Sequence, residues 1–375
     1  MKVPQLTVLV IIAVGVLTVS LHAAERELTV GSRSHMVVSS VSTETAPPTS
    51  TAYNMQLEEE PPAVDGTLRS SILDIPSQLA VPNDPYFGKQ WALSKIHIMD
   101  LWRITTGNAE TIVAVLDTGI DQNHNELDGR IAARVNFTDS PSLSDLHGHG
   151  THITGIIAAN SNNDRGIAGV APRSKVVNVK VADDKGRCQP LVVAKGIIWA
   201  VNNGARVINI SIEFREPSPE LEEAVDYAWN HGVLIVAAAG NEGSQSPIYP
   251  AYYENCIAVG ATKQDDTLAP LSNYGDWVDV FAPGLYIYST LPDDCYGLRS
   301  GTSFATPFVS GLAALLFDVV SDTNGDGRLN DEVRAAIEAG CQEVGHNSEG
   351  GGRIDAAGSL AAIGDTSGHS SGDLL

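Results

Sequence analysis

T-I-V-A-V-L-D-T-G, Thr111 to Gly119, is a run of apolar, largely β-branched residues closed by an acid and a tight turn. Such residues favour extended backbone, and a run without a polar alternate face belongs to a strand covered on both sides, as in a parallel sheet. Working outward, the same pattern recurs at Val176 to Val181, Val207 to Ile212, Val233 to Ala238, Ile257 to Val259 and Val278 to Phe281. Longer stretches at helical spacing lie between and after them, over Gly150 to Asn160, Leu191 to Asn203, Pro219 to His231, Thr302 to Val320 and Asn330 to Ala339. Strands alternating with helices predict an α/β domain over residues 80–363: a doubly wound, mostly parallel sheet flanked by helices. Loops at the carboxyl ends of the strands then form the functional site. No internal repeat is visible.

The chain has 375 residues, 43% of them apolar, with 35 glycines and a formal charge of −22. That length supports one large domain plus an appendage. The acidic balance excludes nucleic acid and anionic membrane as partners. Residues 1–24 carry one lysine, an apolar run from Leu6 to Val19 and the small pair Ala23 and Ala24. The run is short for a bilayer span and reads as a secretory signal peptide, with an uncleaved anchor as the other reading. Residues 25–79 are rich in Ser, Thr, Pro and Glu, with Pro47, Pro48, Glu58 to Glu60, Pro61 and Pro62, and read as a leader, linker or prosegment. Residues 364–375 form a polar tail. After signal removal the expected product is a secreted or extracytoplasmic monomer. Cys188, Cys256, Cys295 and Cys341 allow two disulfides in three connectivities, or four buried thiols; none has metal spacing.

Three side chains carry the chemistry. Asp117 closes its strand, His149 lies in H-G-H-G-T-H (His147 to His152), and Ser303 lies in S-G-T-S-F-A-T-P (Ser300 to Pro307), ahead of an apolar helix. Singly, these are a turn-forming acid, a solvated loop histidine and a helix N-cap. A serine becomes a nucleophile only beside a base that a third group orients, and the chain supplies all three. The order Asp, His, Ser, with A-A-A-G-N (Ala237 to Asn241) between His149 and Ser303, resembles the subtilisin-like serine proteases. It is closest to their thermitase-like branch. N-D-P-Y-F from Asn83, G-I-A-G-V-A-P from Gly166, D-Y-A-W-N from Asp226, Y-P-A-Y-Y from Tyr249, I-A-V-G-A from Ile257 and A-P-G from Ala282 extend the likeness over nearly the whole domain.

The resemblance implies a serine endopeptidase with polypeptide substrates, in which Ser303 attacks, His149 moves the proton, Asp117 orients His149 and the Asn241 amide holds the developing oxyanion. The rival readings are a catalytically weak binding protein of the same fold and a peptide ligase or cyclase. The family match assigns one substrate-pairing edge to Ser211, Ile212 and Glu213, and the pocket floor to Ile248. Relatives usually continue Ser-Leu-Gly-Gly where this chain has Ser211, Ile212, Glu213 and Phe214, so two side chains stand in place of two glycines. Calcium (Ca2+) is implied as cofactor. Its expected ligands are Asp84, Glu126, the Asn163 side chain and the carbonyls of Asn160, Arg165 and Ile167, with Glu126 where an aspartate is usual. Asp322 to Glu332, D-T-N-G-D-G-R-L-N-D-E, places oxygen side chains at Asp322, Asn324, Asp326 and Asn330 as EF-hand-type loops do, with Val333 at the twelfth position.

Overall fold

The computed structural model describes residues 81–343 and 350–366 and the backbone of two strands near the N-terminus. The chain divides into two units, residues 1–66 and 67–375. In the first, β1 (Leu6–Ile11) and β2 (Val16–Leu21) pair antiparallel within the apolar run. The leader outside these strands, through Ala80, falls outside the described residues.

The second unit contains a seven-stranded, wholly parallel sheet. Its strands are β3 (Ile112–Asp117), β4 (Ile131–Asn136), β5 (Lys175–Lys180), β6 (Ala205–Ile210), β7 (Leu234–Ala238), β8 (Cys256–Thr262) and β9 (Val280–Pro283), in the order β4-β5-β3-β6-β7-β8-β9. Side chains alternate across it. Val113, Val115, Val207, Val236 and Val259 enter one core with α1 (Trp91–Lys95), α2 (Ile98–Trp102), α3 (His149–Ala158), α6 (Thr302–Leu316) and α7 (Asn330–Ala339). Ala114, Leu116, Ile208, Ile235 and Ala258 enter the other with α4 (Pro190–Asn202) and α5 (Pro219–Asn230). Burial on both faces is why these strands read as unbroken apolar runs. An antiparallel hairpin, β10 (Ile287–Leu291) and β11 (Cys295–Arg299), precedes α6, and α8 (Ala356–Thr366) ends the described chain, beyond the boundary expected at residue 363.

The chain makes β3, steps outward to β4, returns through β5 and then crosses β3 to lay down β6. The carboxyl end of β3 therefore lies where the winding reverses, the place where open α/β sheets form a crevice. Asp117 is the last residue of that strand.

All four cysteines are free thiols, which overturns the two-disulfide alternative. Cys295 is exposed at the start of β11, so the alternative of four buried thiols also fails. Cys256 opens β8 while Cys188 leads into α4 with β3, β6 and β7 intervening between β5 and β8, and Cys341 packs on the other core.

Candidate active site

Asp117 is buried at the end of β3, where the Thr118 amide donates to its Oδ1 at 2.7 Å. His149 opens α3, and its Nδ1 lies 2.8 Å from Asp117 Oδ1 and 2.9 Å from Oδ2. The carboxylate thus holds the proton on Nδ1 and leaves Nε2 as the basic nitrogen. Burial pushes the imidazole pKa down, but the charge and hydrogen bond of Asp117, aided by Asp145, outweigh it and hold it above the ordinary value. Close approach is built in, since a Cβ on Gly150 would strike the Gly119 carbonyl and lie 3.0 Å from Asp117 Cβ.

The first turn of α3 has no side-chain cap of its own. Asp145 supplies one from outside. Its Oδ2 accepts the amide and hydroxyl of Thr151, each at 2.8 Å, and its Oδ1 accepts the amides of Gly148 at 2.7 Å and His147 at 3.1 Å. The Thr118 hydroxyl donates to the same Oδ1 at 2.8 Å, tying the turn after Asp117 to the turn before His149. Lys180, fully buried opposite Asp117 in the β3–β5 register, pairs with Asp184 at 2.9 Å and donates to the Thr118 carbonyl. Neither Asp145 nor Lys180 stood out in the sequence. The only signals were an acid four residues before His149 and a lysine ending an apolar strand.

Ser303 is the second residue of α6. Pro307 in the same helix has no amide to give the Ser303 carbonyl, and the Ser211 hydroxyl donates to that carbonyl instead, at 3.0 Å. The Ser303 hydroxyl in turn donates to the Ser211 carbonyl at 3.4 Å. In this rotamer it faces the Ser211 carbonyl rather than His149. Catalytic hydrogen bonds are often loose before substrate binds. Asn241 accepts the Thr302 amide at 2.8 Å and its hydroxyl at 3.2 Å through Oδ1, so it caps α6 and keeps its Nδ2 free to donate. The Phe304 ring packs edge-on against His149 at 5.2 Å and His152 at 4.8 Å. Burial drives His152 down to about 3, so it stays neutral and donates from Nε2 to the Gly297 carbonyl at 3.2 Å. His147 is exposed, as a solvated loop residue should be.

The strand-end acid and the helix-start histidine meet at the carboxyl end of β3, and Phe304, next to Ser303, packs the start of α6 against them. Residues 108–346 match the subtilase family. The chain is a subtilase. Thermitase of Thermoactinomyces vulgaris is 45% identical over 259 residues, 68% of this chain and 90% of that protein. The thermophilic serine proteinase of Bacillus sp. (strain AK1) is 45% identical over 265 residues, 70% of this chain but 64% of that protein's length. A solved structure titled proteases from Pseudoalteromonas arctica PAMC 21717 superimposes with a TM-score of 0.69 at 29% identity, covering 76% of this chain and all of that one. Membership places the chain in the serine-type endopeptidase class, and the two 45% relatives agree with the thermitase-like branch.

The substrate edge expected of this subtilase begins at Ser211, nearly buried against Ser303, and continues through half-buried Ile212 and exposed Glu213. Phe214 is tied down by Tyr249 through backbone bonds of 2.8 and 2.9 Å. Crowding by the surrounding chain, then Glu242 against the opposing Arg215, lifts the Glu213 carboxyl above its usual range. Ile248 is buried, its Cγ1 3.0 Å from where a Cβ on Gly240 would lie.

Of the residues expected to hold calcium, Asp84 and Glu126 are both buried. Asp84 accepts the amides of Asn162 at 3.0 Å and Asn163 at 3.2 Å, which folds the 160–167 loop around it. Tyr296 donates to Glu126 Oε1 at 3.0 Å, while Glu126 Oε2 is buried without a partner. Burial chiefly, with Asp84 nearby, pushes the Glu126 carboxyl up to about 7, although Tyr296 and Asn163 oppose the shift. Two buried carboxylates and an orphaned oxygen fit a hard cation. In the second loop the Asp322 carboxylate accepts the amides of Gly325 and Gly327, the Asn324 carbonyl that of Asp326, and the Asp326 carboxylate pairs with Arg328 at 2.6 Å. Asn330 turns away and donates to the Trp229 carbonyl at 3.1 Å. Among the described residues no group of three or more His, Cys, Asp or Glu side chains is arranged to hold a metal, so a cation beside Asp84 and Glu126 would have to draw on amide and carbonyl oxygens as well.

Proposed function

We propose that this subtilase is an exported, calcium-dependent endopeptidase that cuts polypeptides through a covalent acyl-enzyme. Ser303 Oγ attacks the scissile carbonyl as its proton passes to His149 Nε2. The oxyanion takes hydrogen bonds from Asn241 Nδ2 and from the Ser303 amide, which lies in the first turn of α6, where amides have no intrahelical acceptor. The C–N bond then breaks as His149 returns the proton to the leaving amine. Water, losing a proton to the same nitrogen, hydrolyses the ester and restores Ser303. Calcium, when bound, would clamp the segment around Asp84 to the 160–167 loop, with Asp84, Glu126 and Asn163 as side-chain ligands.

One observation carries this reading: the two-oxygen contact of buried Asp117 with His149 Nδ1, with the ring of Phe304, the residue after Ser303, packed against the same imidazole. The apolar run near the N-terminus supports export, with residues 25–79 as a removable leader. No described helix is long and apolar enough to cross a membrane. The test is labelling by a serine-directed fluorophosphonate, with product analysis on casein. Wild type should label at Ser303 and cut casein; Ser303→Ala should do neither while melting cooperatively. Cleavage by purified Ser303→Ala would sink the assignment.

A further inference from the structure

Arg299 ends β11, four residues before Ser303. It is half-buried, and its guanidinium lies over the turn that leads into α3: Nη2 is 3.5 Å from the His147 carbonyl and 3.1 Å from where a Cβ on Gly148 would stand. Its charge reaches His149 and His152, which lowers the proton affinity of both. Among the described residues no carboxylate pairs with it. The nearby acids are occupied: Asp145 is filled by amides and hydroxyls, and Asp294 accepts from the amide and side chain of Asn125. Other arginines of this acidic chain do have carboxylate partners, among them Arg187, Arg215, Arg328 and Arg334. A guanidinium has five donors in a rigid fork suited to a carboxylate, and here that fork carries one long bond to a carbonyl.

The reaction fixes which part of a substrate would meet it. In the protease reading, on which this inference rests, His149 Nε2 protonates the leaving nitrogen, so the peptide beyond the cut bond runs past His149. The acyl part lies toward Ser211, whose carbonyl touches Ser303 Oγ. Arg299 sits on the His147–Gly148 side, over the turn that leads into His149. We propose that Arg299 is a specificity-determining residue that favours substrates carrying a carboxylate at the first or second residue after the scissile bond. It offers an unpaired cation at close range on a molecule whose net charge of −22 repels acidic peptides at a distance.

The test uses peptides identical except for Glu, Gln or Lys at those two positions. For wild type, kcat/KM should favour Glu over Gln by roughly fivefold, the size of a partly exposed ion pair, with Lys lower still, and the margin should shrink as salt rises. Assayed well above the acid limb, where the change in His149 proton affinity does not enter, Arg299→Gln should lose the preference while cutting the Gln peptide about as well, Arg299→Lys should keep part of it, and Arg299→Glu should turn it toward Lys. Equal rates for Glu and Gln in wild type, or an unchanged preference in Arg299→Gln, would overturn the proposal. If Arg299→Gln melts abnormally, the Arg299→Lys and Arg299→Glu profiles and the salt dependence of wild type decide. A wild type that cuts none of the peptides and resists fluorophosphonate would overturn the protease reading itself, and this proposal with it.

Discussion

In the proposed mechanism Asn241 and His149 would each do two jobs, and their substitutions separate them. Asn241 caps α6 through Oδ1, and on the proposed mechanism its Nδ2 would hold the oxyanion by a bond that strengthens only in the transition state. Asn241→Leu should therefore lower kcat by roughly 10² to 10³ with KM little changed, the size known for the corresponding donor of subtilisin itself. An effect on KM alone would contradict the role. His149 must be neutral to accept a proton, and Asp117 holds it above its ordinary 6.5, so the acid limb of kcat/KM should have its midpoint above pH 6.5. Asp145→Asn removes one of the charges that raise His149 and should move that midpoint down. Because the folded pKa is the higher one, the imidazolium–Asp117 pairing stabilises the fold fully below pH 6.5 and is lost as pH rises through the folded value. Melting of Ser303→Ala across that window should show the step, and adding Asp117→Asn should flatten it. At this scale the sequence was legible wherever a residue sat in a distinctive local word: Asp117, His149, Asn241 and Ser303 all do. Asp145 caps the turn just after it, but what ties it and Lys180 to the acid is Thr118, which comes from a distant segment, and no local word announces that.

The β10–β11 hairpin joins the two sides of the site. From it, Ser289 and Thr290 donate to the His152 and Thr151 carbonyls of α3 at 2.8 and 2.7 Å, Gly297 accepts from His152, and Tyr296 reaches Glu126. Thr290→Val keeps the shape and deletes one buried bond. It should cost about 1 kcal/mol and lower Tm by about 2–4 °C, read by calorimetry on an autolysis-free Ser303→Ala background. An unchanged Tm would mean that the hairpin does not brace α3. The hairpin was invisible as sequence because it is a half-exposed antiparallel ribbon rather than a buried apolar run, and its turn uses Asp293 and Asp294 at positive φ instead of the usual glycine. β4 escaped for a related reason: it is the sheet edge, half-exposed, with Arg134 in its middle. The five-residue helices α1 and α2 are too short to show a period. The central strands and α3 to α7 were readable to within a few residues because both faces of the sheet are buried.

For the whole molecule, calcium and oxidation give two further tests. A ligand held only by the native state stabilises it by mass action, so EDTA should lower Tm and hasten autolysis, and added calcium should reverse both. Samples that melt together with and without the metal would refute the Asp84–Glu126 site. Phe304 follows Ser303 where the family commonly has methionine, and the chain's methionines are Met1, Met36, Met55 and Met99, the last in α2. Peroxide should therefore spare the nucleophile, and rapid inactivation traced to the active site would argue otherwise. The strand order has a consequence in time. β3 lies between β5 and β6 but leaves the ribosome before either, so its edges stay bare until the chain as far as Ile210 has been made. Pairings between such distant segments close slowly, and an uncovered apolar strand invites association with other chains while it waits. Synthesis thus sets a schedule: the strand bearing the acid appears early, the serine nearly two hundred residues later, and a nascent chain is most in need of protection well before it has anything with which to cut.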